Sequence, residues 1–416
     1  MANSALSPAE TTPLAAARRA PLLGSLPSGS PFPPPRDKME RLLLTADIRV
    51  IRAGQGAHAR PWDLLLHNEK LSSRVKREGL LGLGDAYVDG WWDCDAFDDF
   101  FYRAFRADLP SLLRNHPRVW FDYLNYKLRD LQNRSHARTN VESHYNLGND
   151  LFEAMLDPYM QYTCGYWATA KTLNQAQEDK LDLICRKLGL KPGMTMLDLG
   201  CGWGGLARFA AERYGVKVTA VTLSAEQLAY AQEKCKGLAT EFLLRDYRDA
   251  KGTFDRITSI GMFEHVGAKH HASAMKLVSS CLADDGLALI HFIGTRDSFP
   301  NRTHSEVSWI NKYIFPGIII PSIKQIGAAI DHLFVLEDLH NFGAHYDKTL
   351  MAWIDNFKRG WEGGSPGLKA RYGNRFYRMW MHYLHSCAGA FRSRDYQLFQ
   401  LVLSKHGVPG GYVSVR

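Results

Sequence analysis

The sequence predicts an α/β protein: a doubly wound parallel sheet, preceded by a small helical domain and a disordered N-terminal tail. Three observations carry this. The chain has 416 residues, 45% of them hydrophobic and 23% charged, a balance that suits folded domains and a length too great for one. From about Lys187 the apolar pattern alternates between short strand-like runs and helix-like stretches, the rhythm of βαβ units that build parallel sheets. One strand runs directly into a glycine-rich turn and then a helix, the arrangement with which such sheets hold ligands.

In chain order, residues 1–36 hold eight of the eighteen prolines, much Ala and Ser, and one acid, Glu10. That composition reads as a disordered tail. Arg18 and Arg19 give it a slight likeness to an organelle transit peptide, while no apolar core follows a basic start as in a secretory signal. Residues 37–134 carry short amphipathic leucine runs at 42–44 and 64–66 and an aromatic cluster, and they predict the helical domain. Within it Trp120, Tyr123, Leu124, Leu128 and Leu131 recur as one helical stripe, with Arg118, Lys127, Arg129 and Arg134 around it. The stripe suits a core-facing helix, or an interfacial helix whose aromatic face meets lipid. Residues 135–416 form the second unit. Its strands are read at 194–199, 217–222, 242–244, 256–260 and 287–293, and its helices at 207–214 and 225–236.

Composition narrows the function. Seven scattered cysteines with no CxxC pair argue against a disulfide framework or a zinc ribbon, and for a reducing compartment. The net charge of +8 points to an anionic partner, nucleic acid or an anionic membrane surface. Residues 286–294 and 313–321 are the most apolar stretches, and both fall short of the roughly 20 residues that cross a bilayer. A cytoplasmic, peripherally membrane-associated protein is expected.

The glycine-rich turn is Asp198-Leu199-Gly200-Cys201-Gly202-Trp203-Gly204-Gly205. It satisfies the dinucleotide fingerprint G-x-G-x-x-G, which expects an acid about 20 residues on to hold a ribose. The next strand ends Val218-Thr219-Ala220-Val221-Thr222 with no acid. The acid ahead of the first glycine and the alternating Gly204 instead resemble the D-x-G-x-G-x-G loop of S-adenosylmethionine-dependent methyltransferases.

The words around the loop are more specific. His144-Tyr145-Asn146-Leu147-Gly148-Asn149-Asp150, Met160-Gln161-Tyr162-Thr163-Cys164, Gly261-Met262-Phe263-Glu264-His265-Val266, the run from Trp309 to Pro316, and Cys387-Ala388-Gly389-Ala390-Phe391 follow in one order. Together they resemble the cyclopropane-fatty-acyl-phospholipid synthase family, which includes the mycolic acid cyclopropane synthases. The likeness spans roughly residues 40–416. It implies a class I methyltransferase-like fold, and transfer of a methylene from S-adenosylmethionine to the cis double bond of an unsaturated phospholipid acyl chain. It further implies lipid binding by the helical domain and a homodimer. Cofactor contacts map onto Tyr162, Thr163, Asp198, Gly200, Cys201, Gly202, Thr222, Leu223, Ser224, Gln227, Asp246 and Tyr247, although Ser224 also reads as a plain helix N-cap. A bicarbonate ion is implied as the base, held by the backbones of Cys164 and Ile293 and by the side chains of Glu264, His291 and Tyr346.

The chemistry fits these residue types. An alkene is a feeble nucleophile, so the methyl donor must be pressed against it in a dry site. The cation left on the chain suits aromatic faces, for which Tyr162, Tyr166, Trp167, Phe263, Tyr313, Phe315 and Tyr346 are at hand. Cys387 belongs to the catalytic set as a pocket residue, since methyl transfer to an alkene needs no thiol nucleophile. Competing readings are a lipid methyltransferase giving a methyl-branched or methylene product, a sphingolipid or amine methyltransferase, and an idle lipid-binding scaffold. No zinc knuckle or RGG run supports a nucleic-acid partner.

Overall fold

The computed structural model describes residues 34–55, 59–112, 147–296, 305–363 and 366–416. The amphipathic stripe at 118–134, the Pro-rich tail to residue 33 and His144–Asn146 of the first motif lie outside them. The N-terminal part comprises helices α1 (Lys38–Thr45), α2 (Leu71–Glu78), α3 (Leu80–Val88), α4 (Phe97–Arg106) and α5 (Leu109–Leu112). It also contains three very short strands, β1 (Val50–Ile51), β2 (Leu64–Leu66) and β3 (Trp92–Asp93). Strands of two or three residues are too brief for a period-2 pattern, so the sequence reads as helix alone.

The larger part is a seven-stranded sheet: β4 (Thr195–Leu199), β5 (Lys217–Thr222), β6 (Thr240–Leu244), β7 (Phe254–Ile260), β8 (Leu282–Thr295), β9 (Val335–Asn341) and β10 (Tyr396–Ser404), in the order β6-β5-β4-β7-β8-β10-β9. The five strands from β6 to β8 are parallel, as expected. The sheet is nonetheless mixed, because β10 runs antiparallel to both β8 and β9. This order and its flanking helices make a class I methyltransferase-like fold.

Alternation along the strands feeds two cores. Met196 and Val218 point to one face, against α7 (Leu173–Lys187) and α8 (Gly205–Tyr214), while Leu197 and Val221 point to the other, against α11 (His271–Cys281) and α13 (Ile323–Ile330). The remaining helices are α6 (Asn149–Met155), α9 (Ala225–Lys234), α10 (Phe263–Val266), α12 (Ser305–Tyr313), α14 (Ala344–Glu362) and α15 (Pro366–Arg392), the last kinked at Gly373. A third core joins α14 and α15 to the N-terminal helices, with Trp92, Phe100, Trp353 and Trp380 fully buried.

Candidate active site

Local geometry begins with the glycine turn. Gly200, Gly202 and Gly204 all have positive φ, and a Cβ on Gly202 would meet nothing within 4 Å, leaving open space beside the backbone for a ligand to approach. Gly205 is needed for packing: its Cβ would lie 2.0 Å from the Tyr159 carbonyl oxygen. The Gly200 and Cys201 N–H groups both donate to the Val221 carbonyl at 3.0 Å, and Trp203 Nε1 donates to Asn149 Oδ1 at 2.8 Å. The turn is thereby pinned to β5 and to α6.

Asp198, the residue before the end of β4, is buried and accepts from Thr258 Oγ1 at 2.8 Å, and burial lifts its carboxyl to about 6. It faces the side of the sheet on which α7 packs. There Lys180, wholly buried, donates to Gln161 Oε1 at 2.5 Å and to Thr163 Oγ1 at 3.0 Å, its ammonium lowered by burial to about 8. A buried cation therefore braces the segment carrying Tyr162 and Thr163.

At the end of β5, Thr222 Oγ1 pairs with Gln227 Oε1 at 3.0 Å and accepts from the Ser224 N–H. Ser224 caps α9 through the Gln227 N–H, so its side chain has the N-cap role, and Leu223 is half-buried between them. Asp246 begins the turn that follows β6. Its carboxylate is gripped by Arg248 Nε and Nη2 at 2.8 and 2.7 Å, with Tyr247 in the turn between them.

A cavity of about 80 Å³ opens next to this region, lined by Tyr162, Thr163, Glu264, His291, Ile293, Tyr346 and Cys387 among others. Its placement follows from topology. β7 ends at Ile260 opposite His291 of β8, Gly261 turns with positive φ, and α10 then presents Glu264. Glu264 Oε1 accepts from the Ile293 N–H at 2.6 Å, whereas Oε2 is buried with no partner among the described residues. Burial raises this carboxyl to about 7. His291 lies directly across from Gln400 of β10, whose Nε2 sits 3.2 Å from Nδ1. With the Gln400 amide donating to Nδ1, the ring proton sits on Nε2, the other buried nitrogen without a partner among the described residues. Burial holds the imidazole neutral and the Tyr346 hydroxyl protonated.

The structure brings the expected residues together unevenly. Glu264, His291, Ile293, Tyr346, Cys387, Tyr162 and Thr163 share the cavity wall. Cys164 sits behind it, its thiol 3.9 Å from Thr349 Oγ1. Of the aromatic set, Tyr162, Phe315 and Tyr346 line the cavity, joined by Tyr383 and Phe391. Phe263 is buried instead in the core beneath α11, Tyr166 packs on Phe342 and His345, and Tyr313 stacks on Trp309. The Cys387 thiol is pushed up to about 12 by burial, so it remains a thiol.

Lys180, Thr258, Gln161 and Gln400, which brace the site from behind, were missed by sequence reasoning. One signal existed: Lys180 interrupts the apolar stripe of α7 made by Leu173, Ala176, Leu181 and Ile184. A cation in a core stripe needs a buried partner.

The family model for mycolic acid cyclopropane synthetase matches residues 132–401. A cyclopropane-fatty-acyl-phospholipid synthase of Escherichia coli (strain K12) is 49% identical over 352 residues, 84% of this chain and 90% of its own length. Among solved structures, the cyclopropane synthase MmaA2 from Mycobacterium tuberculosis is 31% identical with a TM-score of 0.61, over 67% of this chain and 100% of its own. The mycolic acid cyclopropane synthase CmaA1 complexed with SAH and CTAB is 32% identical with a TM-score of 0.60, over 64% of this chain and 98% of its own.

Proposed function

The chain belongs to the mycolic acid cyclopropane synthetase family, and we propose that it transfers a methylene from S-adenosylmethionine to the cis double bond of an unsaturated phospholipid acyl chain, closing a cyclopropane. The observation that carries this reading is the pair of unpartnered buried atoms, Glu264 Oε2 and His291 Nε2, on the wall of a mainly apolar cavity beside the glycine turn. Buried polar atoms without partners are uncommon and call for a ligand.

The open space at Gly202 and the braced Tyr162–Thr163 segment fit S-adenosylmethionine, which supplies the electrophilic methyl group when bound. Apolar walls keep water from intercepting the cation that methyl addition leaves on the lipid. Tyr162, Phe315 and Tyr346 turn aromatic groups toward it, each such face contributing about 0.5–2 kcal/mol. The cyclopropane closes as a proton leaves the added methyl group.

The donor set suits a small oxyanion such as bicarbonate. His291 offers Nε2–H, a protonated Glu264 offers Oε2–H, and Tyr346 offers its hydroxyl. Bicarbonate supplies the base when bound. With its carboxyl near 7, Glu264 is able to share a proton with such an ion and pass it on. The same reading includes an anionic membrane surface, resting on the basic run at 114–138, and a homodimer, resting on the family resemblance.

The test is incubation with labelled S-adenosylmethionine and vesicles of unsaturated phospholipid, followed by mass analysis of the fatty esters. A cyclopropane ester, one methylene heavier than its precursor and with no residual double bond, is expected. An unsaturated methyl-branched product, or label on an amine, would move the assignment to another methyltransferase class.

A further inference from the structure

α7 carries two buried polar side chains one helical turn apart, Gln177 and Lys180, and both reach across to residues 161–163. That stretch is neither helix nor strand, so its polar groups need partners from elsewhere. Gln177 Nε2 donates to the Gln161 and Thr163 carbonyls at 3.3 and 2.8 Å. Lys180 Nζ holds the side chains, donating to Gln161 Oε1 and Thr163 Oγ1. Each of those side chains abuts a turn of the site. Gln161 packs on Gly205, where the glycine turn enters α8 and a Cβ would stand 2.4 Å from Gln161 Nε2. Thr163 packs on Gly261, where a Cβ would stand 2.8 Å from Thr163 Cγ2, just ahead of α10 and Glu264. Lys180 thus grips both contacts at once. Its two bonds end on neutral oxygens, and no carboxylate pairs with it among the described residues. A wholly buried ammonium so placed is costly, and an uncharged side chain would serve packing better. Departures of that kind gather at functional sites.

We infer that Lys180 is a positioning residue for the reaction: by fixing Gln161 and Thr163 together, it sets the distance between the methyl donor at the glycine turn and the base at Glu264. This rests on the methyl-transfer reading above and adds a residue that acts only through its neighbours. Misplacement by about 1 Å in such a geometry costs about a hundredfold in rate. It also changes the product. Methyl addition breaks the S–C bond, whose electrons stay on sulfur, and leaves a cation on the lipid chain. With the base in place, a proton leaves the added methyl group for the base, and the C–H electrons close the ring. With the base displaced, a proton leaves a neighbouring chain carbon for water. Those electrons form a double bond, and the product is a methyl-branched alkene of the same mass as the cyclopropane.

The test compares full-length wild type and Lys180→Met at saturating S-adenosylmethionine with vesicles of unsaturated phosphatidylglycerol, the fatty esters being separated by gas chromatography. The wild type is expected to give the cyclopropane ester. Folded Lys180→Met is expected to lose about a hundredfold in kcat with the lipid KM unchanged, and to form the methyl-branched ester beside the cyclopropane. A protein that merely folds less well turns over less but keeps the wild-type ratio of products. Cyclopropane alone from folded Lys180→Met would therefore overturn the inference. Thr163→Val removes one of the two acceptors while keeping the shape, and the same diversion is expected of it. If Lys180→Met fails to fold, Thr163→Val carries the product test, and cyclopropane alone overturns the inference there too. If the wild type leaves the lipid unchanged, the lipid reading fails, and calorimetry with S-adenosylhomocysteine judges Lys180 separately. An affinity about tenfold weaker is expected in Lys180→Met, because the donor's surroundings are no longer held in place. Unchanged affinity in that case would overturn the positioning role.

Discussion

Glu264 is anchored through Oε1 and keeps Oε2 buried without a partner among the described residues, and burial lifts its carboxyl from 4.5 to about 7. The folded chain therefore holds this proton more tightly than the unfolded chain. The stability it contributes is complete below about pH 4.5 and is lost as pH rises through 7. Glu264→Gln keeps the acceptor for the Ile293 N–H but cannot ionise. In denaturant melts it should match the wild type at pH 4.5 and exceed it by about 2–3 kcal/mol at pH 8. The same variant should lose about a hundredfold or more in turnover, because an amide cannot share the proton. Near-wild-type product formation would remove Glu264 from the base. Asp198→Ala should weaken S-adenosylhomocysteine binding in calorimetry while the fold survives, since the buried carboxylate that accepts from Thr258 just ahead of the turn is lost. Unaltered affinity would count against the turn as the cofactor site.

At the scale of elements, α14 is fastened to the segment carrying Tyr162 through one hydroxyl. Thr349 Oγ1 accepts from the Gly165 N–H at 3.0 Å and from Trp167 Nε1 at 2.9 Å, and donates to the His345 carbonyl. Thr349→Val keeps the shape but leaves two donors without an acceptor, at a cost of about 2–4 kcal/mol. Thermal melts measure that loss, and a change under 0.5 kcal/mol, roughly the level of a neutral surface substitution, would mean water replaces the hydroxyl. This fastening also explains what the sequence reveals and what it hides. The turn at 198–205 is legible because its backbone needs glycines at fixed offsets, and Glu264 because it follows a strand of clear pattern. Thr349, Lys180 and Gln400 are ordinary residues in their own segments. They acquire roles only when α14, α7 and β10 are brought against residues 17 to 184 positions away. β10 itself reads as one more apolar run, and nothing local says that it enters the sheet antiparallel.

On the scale of the whole molecule, the excess of positive charge is concentrated where the N-terminal part continues beyond α5. Arg114, Arg118, Lys127, Arg129, Arg134 and Arg138 there outnumber Asp122 and Asp130. Each basic residue close to an anionic leaflet contributes about 1 kcal/mol, screened by salt. Cosedimentation with phosphatidylglycerol vesicles should therefore fall steeply as salt is raised, and neutral vesicles should retain little protein. Salt-independent binding would show that apolar insertion dominates. Among the described residues, no helix is long and apolar enough to cross a membrane.

The position of β10 has a consequence for biosynthesis. Its nine residues, Tyr396–Ser404, lie between β8 and β9, and they supply the glutamine that orients His291. Chains are made from the N-terminus at about 5–20 residues per second, so β8 and the glycine turn emerge well before the strand that must pair with them. During that interval β8 and β9 each present an open edge, the kind of surface that recruits foreign strands. A nascent chain halted before residue 396 has no Gln400 to set the imidazole. Translation itself thus holds back the His291 site until β10 has emerged.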